Sequence, residues 1–207
     1  NLKQSYKQTF KIKLRRCGAY LGPNKTNWRQ FMCHNLGADY SKDPFTPSAD
    51  IHGNKYRWGY KLSIIDQEED VYFQEPKKGA NNLESYDTWN NGIDDPCPNG
   101  YRVPSKEEME PFDYDMRYKA VGSWSNNFSA KVADAGVLFE NLFFPAAGMR
   151  FANAYTGLNT GTMAVYWTNS QTKYDEAYAL EFMYENARPL VRNYKRYYLL
   201  PIKCIKK

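Results

Sequence analysis

The 207-residue sequence contains no apolar run long enough to cross a bilayer, so no transmembrane segment is expected. It has no Cys-x-x-Cys pair and only two histidines, His34 and His52, which argues against a zinc site. Aliphatic content is modest and mean hydropathy is negative, unlike helix-rich bundles with their abundant Leu and Ala. Internal repeats, low-complexity tracts and an evident interdomain linker are missing as well. No signal peptide is visible, which a processed secreted chain would have lost. The basic residues fall into no recognisable nucleic-acid-binding motif, so nucleic acid is disfavoured as a partner.

Aromatic residues are plentiful. Much of the 42% hydrophobic content is 18 Tyr, 11 Phe and 5 Trp, set among 13 Gly and 11 Pro. That composition suggests short strands joined by long, aromatic-packed loops. The length fits one domain spanning 1–207, in which residues 1–16 form an N-terminal strand or end a preceding domain; the former is preferred. The net charge of +5 is unevenly placed: residues 1–16 and 188–207 hold 13 Lys/Arg and no acid. Either two terminal strands carry solvated basic faces, or a basic patch meets an acidic glycan, a lipopolysaccharide or a partner. The even number of cysteines, Cys17, Cys33, Cys97 and Cys204, fits disulfides in an oxidising compartment and leaves three possible pairings.

Thr9–Arg15 alternates apolar and basic residues, placing Phe10, Ile12 and Leu14 on one face of an edge strand. Tyr198–Ile205 reads as the other terminal strand, with Pro201 at an edge-facing or bulged position. The two ends are expected to share a sheet. Trp28–Cys33 leans toward strand, 37–54 toward loop, and 66–100 toward a long excursion. Ser105 and Glu108 have the spacing of a capping box, and Pro111 limits the helix that follows. Further strands are expected at Val137–Phe139, Leu142–Phe144, Ala164–Thr168 and Ala177–Phe182. Trp28, Trp124 and Trp167 are expected in the core.

Four blocks then stand in a suggestive order. They are Cys17-Gly-Ala-Tyr20 leading to Phe31-Met-Cys-His-Asn-Leu-Gly-Ala-Asp39, Cys97-Pro-Asn-Gly-Tyr-Arg-Val-Pro104, Phe144-Pro-Ala-Ala-Gly-Met-Arg150, and Tyr166-Trp-Thr-Asn-Ser170 with the closing Ile202-Lys-Cys-Ile205. Together they resemble the Fibrobacter succinogenes major paralogous domain family of Bacteroidetes surface proteins, over roughly residues 17–205. The resemblance implies an α+β, C-type-lectin-like fold: small twisted antiparallel sheets, one or two short helices, long loops and adjacent terminal strands. It also implies the pairs Cys97–Cys204 and Cys17–Cys33. In the chain-entropy account, closing these loops contributes about 4–5 and roughly 3 kcal/mol respectively.

Several patterns bear on chemistry. Glu75-Pro76-Lys77 and Trp89-Asn90-Asn91 are the nearest strings to a lectin calcium site, but Lys77 would repel the ion and the order is wrong. Asp87, Asn90, Asp94 and Asp95 could hold calcium loosely, yet they read more simply as an Asx-rich turn before Pro96. His34 and His52 read as packing or loop residues. The acid pairs Asp113/Asp115 and Glu107/Glu108 could imitate a glycosidase dyad, although acids at a helix N-terminus have a plainer electrostatic reason. No catalytic residue, metal site or cofactor is expected. The ligand-binding candidates are Trp58, Tyr60, Trp89, Asn90, Asp94, Tyr155 and Tyr174, with Tyr166 and Tyr184 also near expected loops; exposed rings stack on sugars or anchor interfaces.

These features lead to a non-catalytic binding or display domain of adhesin type. It would be extracellular or on the outer-membrane surface, secreted or lipid-anchored, with a surface glycan or protein as ligand. The competing expectations are a purely structural domain of a larger surface or fimbrial protein and, more distantly, a glycan-active enzyme.

Overall fold

The computed structural model describes residues 16–21, 24, 26–63, 89, 92, 94–114, 117–127, 133–151, 159–173, 175–183 and 189–207. Among them, small antiparallel sheets surround one short α-helix. No described helix is long and apolar enough to cross a membrane.

Near the N-terminus, β1 (Gly18–Leu21) and β2 (Asn27–Gln30) form a hairpin, with Gly18 opposite Gln30 and Leu21 opposite Asn27. The strand expected at Trp28–Cys33 is therefore present in part. Gly18 is required by close approach, since a Cβ there would lie 2.3 Å from the Arg29 carbonyl oxygen. β3 (Tyr56–Arg57) and β4 (Tyr101–Arg102) are two-residue strands. Later, β5 (Tyr118–Gly122), β6 (Ala135–Phe139) and β7 (Leu142–Pro145) make a meander, and β8 (Arg150–Phe151) follows. The longest strands, β9 (Met163–Lys173) and β10 (Glu176–Met183), pair with each other, and β11 (Leu190–Lys195) adds to β10.

Strand β9 divides the interior. Its period of two sends Ala164 and Tyr166 to one apolar cluster and Met163, Val165 and Trp167 to the other. The first cluster is phenylalanine-rich, with Phe112 meeting Phe139 at 4.8 Å and Phe144 at 5.6 Å between ring centroids. The second holds Trp58, Trp89 and Trp167 with Val103, Leu200 and Ile202. Aromatic volume replaces the scarce aliphatics, as edge-on contacts fill space with few residues. Trp167 is core as expected, whereas Trp28 and Trp124 are only half-buried.

Helix α1 (Lys106–Met109) begins at the expected capping box. Ser105 Oγ accepts from the Glu108 N–H, and the Glu108 carboxylate accepts from the Ser105 N–H at 2.9 Å. Beyond it the chain tightens into a 3-10 turn, Glu110–Tyr114, because Pro111 cannot donate to an α-helical ladder.

The strand expected at Tyr198–Ile205 is split by its proline. β12 (Tyr198–Leu200) pairs with β3 and β8, and β13 (Ile205–Lys206) pairs with β4. Pro201 is buried rather than edge-facing, and it sits where the ladder is interrupted. Its carbonyl accepts from the Trp167 N–H at 3.2 Å, the Ile202 carbonyl from Leu36 at 3.0 Å, and the Cys204 carbonyl from Met32 at 2.8 Å. The amphipathic strand expected at 9–15 and most of the 66–100 excursion lie outside the described residues, as does the expected sharing of a sheet by the two ends.

Two disulfides bracket this region. Cys17–Cys33 joins the open end of the β1–β2 hairpin with Cα atoms 5.1 Å apart, and Cys97–Cys204 spans 107 residues with Cα atoms 6.0 Å apart. No described cysteine is free. Disulfides of this kind belong to oxidising compartments. Replacing Cys97 and Cys204 together by Ser should lower the unfolding free energy by about 2–5 kcal/mol. Cys17→Ser with Cys33→Ser should cost less, because the shorter loop releases less entropy. Urea unfolding of the two double variants gives the order directly, and a reversed order would contradict the loop-length argument.

Candidate functional site

Above the Cys17–Cys33 bridge lies an open pocket of about 250 Å³. The disulfide, Phe31 and Met32 line it, and Arg16, Gln30, His34, Tyr40 and Tyr101 supply its polar and aromatic groups. Each part is held by the backbone around it. The Phe31 N–H donates to the Cys17 carbonyl at 2.9 Å, and Met32 is tied to Cys204, so the disulfide cannot shift without moving the last strand. Tyr101 comes from β4, which pairs with β13 on the far side of that same strand.

The loop carrying His34 and Tyr40 is stitched down by a buried asparagine. Asn35 Nδ2 donates to the His52 carbonyl at 2.8 Å and to the Tyr166 hydroxyl at 3.1 Å; that hydroxyl donates to the Pro145 carbonyl at 2.6 Å. Burial holds the Tyr166 phenol well above its ordinary pKa, so it remains a neutral donor. Asn54 donates to the Leu36 carbonyl at 2.8 Å, and Asp39 N–H to Asp50 at 2.9 Å. Asp39 Oδ1 in turn accepts from the Ser41 N–H at 2.9 Å, an Asx turn around Tyr40. Tyr40 is left 56% exposed, with its ring edge-on to His34 at 5.2 Å. His34 Nε2 lies 2.8 Å from the Lys42 carbonyl oxygen; a carbonyl only accepts, so this nitrogen carries the proton.

Beneath the pocket, Lys203 is completely buried and donates to the Cys33 carbonyl at 3.0 Å. Its ammonium lies 5.9 Å from the centroid of the Phe144 ring. Desolvation brings its pKa down from 10.5 to about 7. Nearby, Glu108 receives both terminal nitrogens of Arg102 at 2.7 Å and lies 3.9 Å from Arg29. Burial pushes this carboxyl up, but the Arg102 and Ser105 hydrogen bonds and the two guanidinium charges leave it below the usual carboxylate range. Glu108 is thus occupied in bracing β2 and β4 against α1. Among the described residues no three His, Cys, Asp or Glu side chains are grouped so as to hold a metal ion.

Two of the expected ligand residues lie in the core. Trp58 and Trp89 are 0% and 1% exposed, so their rings cannot stack on a ligand. Trp58 Nε1 donates to the Thr168 carbonyl at 2.8 Å, and Arg196 covers its ring at 4.4 Å. Trp89 Nε1 donates to the Asp94 carbonyl at 3.1 Å. Tyr166 is buried as described above. Tyr60 is half-buried beside Arg57, whose guanidinium lies 5.0 Å from the ring centroid. Asp94 is exposed and left-handed, with φ 53°, as in a turn. Asp95 spends its two oxygens on the N–H groups of Cys97 and Val103, at 2.9 and 3.0 Å. Glu75–Lys77, Asp87, Asn90, Asn91, Asp115, Tyr155, Tyr174 and Tyr184 lie outside the described residues. His52 is buried, its Nε2 donating to the Ala133 carbonyl at 3.0 Å.

The pocket residues Arg16, Gln30, Tyr40 and Tyr101 were not singled out from sequence. A tyrosine inside an Asp/Ser/Pro-rich loop, seven residues past a cysteine, was the available signal for Tyr40. The basic bias of residues 1–16 was the signal for Arg16.

The buried lysine makes stability depend on pH. Between about 7 and 10.5 the unfolded chain holds a proton on Lys203 that the folded chain has released. The unfolded state then binds more protons, so stability rises with pH through this window, by at most about 1.4 kcal/mol per unit. Chemical unfolding at pH 7 and pH 10 should show that rise in the parent protein and a shallower one in Lys203→Met. Equal slopes would show that the lysine keeps its charge in the fold.

Comparison with family models, with curated proteins and with solved structures returns no match to this chain.

Proposed function

We propose that this chain is a non-catalytic binding domain of extracellular, adhesin type, with a C-type-lectin-like scaffold of the kind seen in the Fibrobacter succinogenes major paralogous domain family. The carrying observation is the pocket itself: an exposed Tyr40 ring and several hydrogen-bonding side chains on a loop surface clamped from below by two disulfides. A site fixed before ligand arrives loses little entropy on binding, which suits a small polar ligand with few contacts. The four sequence blocks and the pairing Cys17–Cys33 and Cys97–Cys204 support the family reading. The volume lies below the ~300–1,000 Å³ of clefts that engulf drug-sized molecules, and so fits a single sugar ring better than a large buried substrate.

A purely structural role is the second reading. The burial of Trp58 and Trp89 favours it, because it removes two of the aromatic rings that a broad stacking platform would use.

A glycan and mucin array separates the two readings. Binding should persist in EDTA, since no lining side chain is a carboxylate, and Tyr40→Ala should weaken it at least tenfold. Silence with and without EDTA would leave the structural role standing.

A further inference from the structure

Charge around the pocket is distributed unevenly. Arg29 and Arg102 both face Glu108, and Lys42 lies 3.6 Å from Asp50. Arg16 is different: its side chain is exposed, and among the described residues it has no ion-pair partner. Its backbone adjoins a fixed point, because the next residue is held by the disulfide and by the hydrogen bond from Phe31 to the Cys17 carbonyl. The pocket lining contains no Asp or Glu. A guanidinium offers a planar fork of donors that matches a carboxylate in two parallel bonds.

The same pocket carries a sugar-compatible surface. Tyr40 presents an exposed ring, steadied edge-on by His34, and the C–H face of a pyranose can lie on such a ring. His34 spends its Nε2 proton on Lys42, so in the neutral ring Nδ1 is the acceptor for a hydroxyl. Gln30 and Tyr101 bring an amide and a phenol, groups that both donate to and accept from hydroxyls.

From this juxtaposition we infer that the pocket takes the carboxylate-bearing pyranose of an acidic saccharide, the carboxylate on Arg16 and the ring on Tyr40, without calcium. The inference rests on the binding-domain reading and names its ligand class. A hexuronic acid and a sialic acid present the same carboxylate-on-pyranose chemistry, so the test must tell them apart.

The experiment is a titration of the full chain, isotopically labelled and in EDTA, followed by amide and aromatic NMR shifts. The probes are digalacturonate, sialyllactose, lactose and sodium sulfate. At least one acidic saccharide should shift the resonances of His34, Tyr40 and Tyr101, with affinity falling as salt rises. Which one binds identifies the acid. Arg16→Gln and Tyr40→Ala should each weaken it at least tenfold while leaving the thermal midpoint unchanged, since both side chains are exposed. Lactose binding as tightly as sialyllactose, with Arg16→Gln harmless, overturns the carboxylate assignment and leaves a neutral-glycan domain. Sulfate reproducing the shifts at equal affinity overturns it too, as attraction of any anion. No saccharide moving those resonances removes both the inference and the pocket as a glycan site.

Discussion

The fold depends on a five-residue stretch, 201–205, buried throughout and hydrogen-bonded on several sides without belonging to one sheet. Buried backbone groups demand partners. Here Met32 and Leu36 provide them from one segment and Trp167 from another far along the chain, and β4 completes the set by pairing with Ile205. The Cys97–Cys204 bond ties this stretch to the turn before α1, and the Met32 hydrogen bond links it to the segment ending in Cys33. The two disulfides therefore act on one structural unit, and the pocket is its outer surface.

Polar groups in the interior follow the same economy. Glu181 is buried on the tryptophan-rich side of β10, hydrogen-bonded by the Tyr194 hydroxyl and 3.7 Å from Arg192 on the adjacent strand. Burial first, and the Glu181 charge second, hold the Tyr194 phenol protonated. Asn35 plays the corresponding part on the other side of β9. Isolated, either group would cost a few kcal/mol of desolvation; bonded as they are, each fixes one strand or loop to its neighbour. A sheet system this fragmented gains its alignment from such links more than from ladder length.

How far the sequence was legible follows from which signals are local. The capping box at Ser105 and Glu108, the halt imposed by Pro111, and the short apolar strands at Ala164–Thr168 and Ala177–Phe182 depend on near neighbours and are all visible in the fold. The split of 198–205 was half legible: Pro201 announced an interruption, but its burial depends on Trp167 and Leu36, far away in sequence. The candidate site was read least well. A tryptophan in a loop looks exposed, yet Trp58 and Trp89 enter the core because aliphatic residues are scarce and each indole finds a backbone carbonyl. Tyr40 and Arg16 line one pocket only through a disulfide and a loop fold, so their spacing along the chain carries no sign of a shared site.

The position of residues 201–205 also bears on the order in which the molecule assembles. Biosynthesis produces this stretch after Phe31, Met32, Leu36, Cys97, Arg102 and Trp167, all of which wait for it. Until it arrives, the carbonyls those groups will use are missing and both apolar clusters lack a shared wall. Contacts of such long sequence separation make folding slow. Closure of the two apolar clusters and of the Cys97–Cys204 loop therefore waits on residues 201–205, made later than every partner they join.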